Sequence, residues 1–209
     1  MKRILITDDH PAIRDGVKQI IARNFGDAEF GEASNSAEAF RKMGEQQFDL
    51  VILDLDMPGR SGLEVLKQIR DEGNKIRVII FTMHAEEQIA IRVFKLGADG
   101  YLSKGSNEEE MITAIDTVLN GRKYIPVSIA AALVNHLGNP DQAQPHETLS
   151  EREYQTMLLL ASGKTTSGIA EELSLSTTTV STYRSRILEK LSLKSTAEIV
   201  NYVYKNNLK

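Results

Sequence analysis

Leu50-Val51-Ile52-Leu53-Asp54 is an unbroken apolar run closed by an acid, and Leu55-Asp56-Met57-Pro58-Gly59 follows it directly. Four consecutive apolar residues ahead of a Pro-Gly turn signal read as a short strand buried on both faces, the pattern of a parallel sheet. About 45 positions earlier, Ile4-Leu5-Ile6-Thr7 runs into Asp8-Asp9 in the same way. Ligands of open α/β sheets bind at the C-terminal edge of the strands, so both runs deliver carboxylates to one edge. Three carboxylates gathered there repel one another unless a hard cation such as Mg²⁺ lies among them. The pattern predicts a metal-dependent phosphoryl acceptor.

Outward from these two runs, strand and helix signals alternate. Strand-like segments fall near 3–7, 28–33, 49–53, 76–82 and 99–102, with amphipathic stretches near 12–24, 36–46, 62–71, 86–96 and 107–119. Ile13, Val17, Ile20 and Ile21 recur at helical spacing, and Ser61 with Glu64 offers a capping box. Five strand–helix repeats imply a parallel sheet with right-handed crossovers and helices on both faces. The expected fold is an α/β, flavodoxin-like, doubly wound domain of five parallel strands over 1–125. A short extra helix is expected over 127–137. Gly138 to Glu147, polar and holding Pro140 and Pro145, reads as an exposed linker, so 126–147 is set apart as helix and linker.

From residue 148 no strand signal remains. Ser150 and Glu153 form a second capping box ahead of a helix through Met157, Leu158, Leu160 and Ala161. A second helix from Thr166 buries Ile169, Ala170 and Leu173. A third, Thr177 to Leu191, turns Val180, Ile187, Leu188 and Leu191 inward, and a fourth covers Ser195 to Tyr204. Residues 148–209 are thus expected to form a small all-α domain.

The bulk properties narrow the chemistry. The 209 residues contain no cysteine, which excludes disulfides, thiolate metal sites and thiol catalysis. Met1-Lys2-Arg3 leads into too short an apolar run for a signal peptide, and no stretch approaches the roughly 18 apolar residues of a membrane span. A cytoplasmic location, with no membrane partner, is expected. Residues 1–147 carry 17 Lys/Arg against 23 Asp/Glu, while 148–209 carry 8 against 6. An acidic regulatory module joined to a nucleic-acid module has this sign of asymmetry.

Asp8-Asp9, Asp54 with Met57-Pro58-Gly59 and Gly62, Thr82, and Lys104 after Tyr101-Leu102-Ser103 fall in order at strand ends. In this set residues 1–125 resemble the receiver domain of bacterial two-component response regulators. The resemblance implies a phosphoacceptor, Asp54, attacking phosphorus as a nucleophile. It implies Mg²⁺ held by Asp8, Asp9, Asp54 and the Asp56 backbone carbonyl, with Lys104 neutralising a phosphoryl oxygen. Thr82 would donate its hydroxyl to the attached group and Tyr101 would follow Thr82 inward. Asp56 and His84, two residues beyond Asp54 and Thr82, are candidates for tuning the phosphoryl lifetime. Gly105 stands where many receivers have proline, which leaves the Lys104–Gly105 peptide geometry open.

Residues 148–209 resemble the LuxR/NarL-type helix-turn-helix through Leu149-Ser150-Glu151-Arg152-Glu153, Ile169-Ala170-Glu171-Glu172-Leu173 and Ile187-Leu188-Glu189-Lys190-Leu191. The third helix offers Thr177, Thr178, Ser181, Thr182, Arg184, Ser185, Arg186 and Lys190 for DNA, since hydroxyls and cations suit phosphates and base edges. The implied partners are double-stranded promoter DNA, a sensor histidine kinase and a second copy of the chain on DNA. No enzyme activity is expected beyond self-phosphorylation and slow autodephosphorylation. A small haloacid-dehalogenase-like phosphatase is a rival, because Asp54-Leu55-Asp56 formally supplies its second aspartate. A phosphorylation-independent DNA binder is the other.

Overall fold

The computed structural model describes residues 2–57, 60–83, 87–138, 144–173, 175–206 and 208. The chain divides into two compact units, 1–139 and 140–209.

In the first unit, strands β1 (Lys2–Thr7), β2 (Ala28–Ala33), β3 (Leu50–Leu53), β4 (Arg77–Thr82) and β5 (Gly100–Ser103) alternate with helices. These are α1 (Pro11–Phe25), α2 (Ser36–Glu45), α3 (Gly62–Asp71), α4 (Glu87–Lys95) and α5 (Glu108–Leu119). All strand pairs are parallel, in the order β2-β1-β3-β4-β5. The strand direction of travel therefore reverses between β1 and β3, and the crevice at such a switch point is the ligand site of doubly wound sheets.

Strand periodicity distributes the core. Ile4, Ile6, Leu50, Ile52, Ile79, Phe81 and Leu102 pack with Val17 and Ile21 of α1 and Met111, Ala114, Ile115 and Val118 of α5. The alternate residues Leu5, Val51, Val78 and Ile80 are equally buried and face the other side of the sheet. Helix α3 starts where expected because Ser61 and Glu64 complete their capping box, with the Ser61 N–H donating to the Glu64 carboxylate at 3.0 Å. After α5 the chain returns to the sheet edge, Tyr124 N–H donating to Asp99 O at 2.9 Å. Helix α6 (Val127–Gly138), placed between the domains by its sequence, packs against α4 and buries Ile129 and Leu133.

The second unit holds α7 (Glu151–Ala161), α8 (Thr166–Glu172), α9 (Thr177–Lys190) and α10 (Thr196–Lys205). Its core includes Leu149, Met157, Leu160, Ile169, Val180, Ile187, Leu191, Ile199 and Val203. Leu188, expected inward, is only half-buried. Residues 139–143 of the expected linker lie outside the described residues. Its end is not exposed coil: Pro145–Thr148 is a 3₁₀ turn with His146 buried at 2% exposure. The His146 ring nitrogen Nδ1 lies 3.0 Å from the Tyr202 hydroxyl of α10, and its ring meets those of Tyr154 and Tyr202. A polar segment beside prolines is pinned because an aromatic pair from α7 and α10 receives its histidine.

Candidate functional site

The first site lies at the β1/β3 switch point. Asp54 begins where β3 ends, its backbone N–H donating to Thr7 O of β1 at 2.9 Å. That bond ties the two acid-bearing strand ends together. Lys104, just beyond β5, reaches across with its Nζ 2.7 Å from Asp8 Oδ2 and 2.9 Å from Asp54 Oδ2. All three side chains are buried. The Lys104 N–H donates to Thr82 O at 2.8 Å, which holds the β5 end beside β4. Thr82 and Tyr101 are themselves buried. Among the described residues every peptide bond is trans, which includes Lys104–Gly105.

Burial pushes the Asp54 carboxyl up to about 6 against the pull of Lys104, and the Asp8 charge pushes the same way as burial. Burial works against the charge of Lys104 as well, yet Asp8 and Asp54 outweigh it and hold the ammonium above its ordinary range. One ammonium thus stands between two buried carboxylates and cannot neutralise both. Asp54 Oδ1 is buried and accepts no hydrogen bond among the described residues. A buried carboxylate oxygen left open is costly unless something charged arrives to meet it.

Asp9 stands beside this pair, more exposed than Asp8, and His10 adds a nitrogen that the sequence reading missed. Its Nδ1 lies 2.7 Å from Asp9 Oδ1 and 3.3 Å from Asp8 Oδ1. Asp8, Asp9 and His10 each offer a ligand atom, all within 4.8 Å of one another. The adjacency to Asp8-Asp9 was the available signal for His10. The open carboxylate oxygens suit a hard divalent cation.

In the second unit, α8, its turn and α9 form the compact pair expected of a helix-turn-helix. Ser176 caps α9 by accepting the Thr179 N–H at 3.0 Å. The outward face of α9 presents Thr177, Thr178, Ser181, Thr182, Ser185 and Arg186 to solvent. Two of the cations expected there are otherwise engaged. Arg184 is half-buried and donates from Nε to Thr196 Oγ1 at 2.8 Å. Lys190 Nζ donates to the buried Glu153 carboxylate at 2.6 Å and to Thr148 O at 3.2 Å. Lys190 therefore ties α9 to the capping box of α7, and Arg186 is the exposed cation left on the face.

The same two regions match known protein families. Residues 4–116 match the response regulator receiver domain, and residues 147–203 match the luxR family of bacterial regulatory proteins. This chain belongs to the response regulators. The response regulator UvrY of Escherichia coli K12 is 34% identical over 209 residues, covering all of this chain and 96% of UvrY. A LuxR-family response regulator from Aurantimonas has a crystal structure 35% identical with TM-score 0.60, covering 65% of this chain and 97% of that one. RcsB from Salmonella enterica serovar Typhimurium, bound to promoter rprA with the phosphomimetic BeF3-, superposes with TM-score 0.63. It is 22% identical over 97% of this chain and 98% of its own, and shares the fold. The protein is a response regulator with a receiver domain and a LuxR-type DNA-binding domain. Among the described residues no helix is long and apolar enough to cross a membrane.

Within this response regulator the structure brings Asp8, Asp54 and Lys104 into contact and sets Asp9 beside them. Asp56 is half-buried, and its backbone N–H helps hold the Asp54 carboxylate. His84, Pro58 and Gly59 lie outside the described residues.

The ion pair between Lys190 and Glu153 should show in the stability of the output domain. Burial opposes the Glu153 charge, but Lys190 and the Ser150 N–H outweigh it and hold the carboxyl below its ordinary 4.5. A carboxyl held low in the fold contributes stability above its unfolded value, and this is lost as pH falls through the folded one. Lys190→Met should cost the output domain about 1–2 kcal/mol, a charged hydrogen bond discounted for the partly exposed lysine. In urea unfolding from neutral pH to below 4.5, the variant should also lose part of the wild-type acid sensitivity. Its DNA affinity per folded molecule should stay within about two-fold, well short of the loss from a true contact.

Proposed function

We propose that this response regulator accepts a phosphoryl group on Asp54 from the phosphohistidine of a sensor kinase and, once phosphorylated, binds promoter DNA as a dimer. The observation that carries this is the Lys104 ammonium held between Asp8 and Asp54 while Asp54 Oδ1 stays buried and unbonded. An aligned nucleophile with fixed positive charge beside it is what phosphoryl transfer asks of a protein, since positioning and electrostatics do most of the work. Asp8, Asp9, Asp54 and the Asp56 carbonyl would hold Mg²⁺, which when bound supplies the charge that screens phosphoryl oxygens from these carboxylates.

Asp54 attacks phosphorus, the bond to the donor nitrogen breaks, and the product is an acyl phosphate. Lys104 leaves its bridge to follow the new oxygens. The Thr82 hydroxyl then donates to the phosphoryl group, and Tyr101, already buried, is kept in. Tyr101 also lines a cleft of about 310 Å³ with Ser103, Glu110, Pro126 and Ile129 of α6. Changes at Thr82 and Tyr101 are thereby felt at the helix that ends the receiver unit. Asp56 and His84 tune the lifetime of the acyl phosphate. The protein works in the cytoplasm and turns over no phosphomonoester.

On the output side, Arg186 with Thr177, Thr178, Ser181, Thr182 and Ser185 of α9 meets the major groove. Tyr204 of α10, 59% exposed, is available to the two-fold contact. DNase footprints at fixed salt should show protection of two half-sites one helical turn apart, appearing with phosphorylation. Equal footprints from Asp54→Ala and phosphorylated wild type would instead favour a phosphorylation-independent binder. Arg186→Ala should weaken DNA binding by about 1–3 kcal/mol, read by fluorescence anisotropy. A salt slope lowered by about 1 would assign Arg186 to a phosphate, an unchanged slope to a base edge.

A further inference from the structure

His10 is the side chain at the acidic edge to which the proposed acceptor chemistry gives no task. Its backbone is fixed on both sides. The His10 N–H donates to Asp8 Oδ1 at 2.9 Å, and its carbonyl accepts from the Ile13 and Arg14 N–H groups at the start of α1. The ring is thereby held against the Asp8-Asp9 carboxylates, with Nδ1 2.7 Å from Asp9 Oδ1 and 3.3 Å from Asp8 Oδ1. The shorter approach is not a hydrogen bond: Asp9 Oδ1 is a buried atom that accepts none among the described residues. Close approach without donor alignment is how neighbouring ligand atoms of one ion stand. Around a cation with bonds of about 2.1 Å, adjacent octahedral ligands lie about 3 Å apart, a value the two contacts bracket. One ligand atom from each of Asp8, Asp9 and His10 lies within 4.8 Å of the others. A further, fully buried donor borders the same pocket. Asp54, 1% exposed, shares Lys104 with Asp8, and its Oδ1 is left without a hydrogen bond.

Mg²⁺ is a hard ion that takes oxygen ligands, whereas Zn²⁺ and Ni²⁺ take imidazole nitrogen readily. From this geometry we infer that His10 makes the cation site a mixed oxygen–nitrogen site. A borderline divalent ion, Zn²⁺ or Ni²⁺, is bound by His10 Nδ1 together with Asp8 and Asp9, while Mg²⁺ is bound without His10. The His10 side chain is 67% exposed, so Nε2 carries the ring proton toward solvent while Nδ1 gives its lone pair to the ion. The inference rests on the reading of these carboxylates as a divalent-cation site, and deepens it by adding a ligand and a class of metal. Two kinds of ion then compete for one place beside Asp54, one held by oxygens alone and the other also by an imidazole.

The experiment titrates Zn²⁺ and Mg²⁺ separately into the full-length, metal-free protein at one pH, followed by calorimetry and by nitrogen NMR of ¹⁵N-histidine-labelled chain. The sequence has four histidines, so His10→Gln assigns the His10 ring signals by their absence. Zn²⁺ should move the His10 Nδ1 resonance to that of a metal-bound nitrogen, and Mg²⁺ should leave it at that of a metal-free ring. His10→Ala and His10→Gln should each bind Zn²⁺ at least about ten-fold more weakly, the scale of removing even a supporting residue of a metal site. Both should keep the wild-type Mg²⁺ affinity within about two-fold, since Mg²⁺ draws on oxygens alone. Unchanged Zn²⁺ affinity in both variants, or a His10 Nδ1 signal that Zn²⁺ leaves in place, overturns the inference, and Mg²⁺ binding then keeps the cation-site reading intact. Loss of Mg²⁺ and Zn²⁺ binding alike in the variants makes His10 a support for the loop and overturns the inference too. Wild-type protein that binds neither ion overturns both.

Discussion

Asp54→Asn protein should take up no phosphoryl group from a small acyl phosphate in the presence of Mg²⁺, while wild type reaches about one per chain as a hydroxylamine-labile acyl phosphate. The amide has the shape of the carboxylate but no nucleophilic charge. Asp8 is already engaged at both oxygens: its Oδ1 accepts the His10 N–H at 2.9 Å, and its Oδ2 is held by Lys104. The same variant should be more stable than wild type in metal-free buffer at neutral pH, by about 1–2 kcal/mol, because two buried carboxylates no longer share one ammonium. Loss of phosphorylation together with a raised urea midpoint separates a missing nucleophile from a damaged fold. Residual labelling near the wild-type level would move the acceptor elsewhere, and loss accompanied by a lowered midpoint would leave Asp54 a structural residue.

The acceptor was legible in sequence because each of its members ends a strand. An apolar run closed by an acid marks both the strand and its C-terminal edge, so Asp8 and Asp54 fall together without knowledge of the sheet order, and the resemblance to receivers adds Lys104. Capping boxes at Ser61 and Ser150 were legible for a similar reason, their partners being three residues away. What escaped depends on distant partners. Helical spacing puts Lys190 one turn beyond Arg186 on the DNA-facing side, yet its ion pair comes from Glu153, 37 residues earlier. His146 sits in a composition typical of linkers, but Tyr202, 56 residues away, receives it. Local pattern cannot report a partner that the tertiary fold supplies.

Gly62 belongs to the motif that follows Asp54, and the structure gives it a steric reason. Its N–H donates to Leu55 O at 3.0 Å, folding the start of α3 back over the acceptor loop. A Cβ built at Gly62 would lie 2.0 Å from the backbone carbonyl oxygen of Asp54 and 2.9 Å from Leu55 Cα. These obstacles are main chain, so no side-chain rotation relieves them. Gly62→Ala should therefore destabilise the receiver by about 3 kcal/mol, at the upper end of overpacking costs. Gly16→Ala makes the contrast. Gly16 lies inside α1 with nothing within 4 Å of its Cβ position, and alanine there should stabilise by about 1 kcal/mol through helix propensity. Urea unfolding of both variants reads the difference in sign. For Gly62→Ala the cost falls on the peptide that carries the nucleophile, because the Asp54 carbonyl must move away from the new methyl. Phosphorylation by a small acyl phosphate should then be slowed even in molecules that remain folded, at temperatures where circular dichroism shows a native receiver. A Gly62→Ala protein with wild-type stability and wild-type phosphorylation rate would mean that α3 can shift as a unit, and that the tight approach of α3 to Asp54 is not what positions the acceptor.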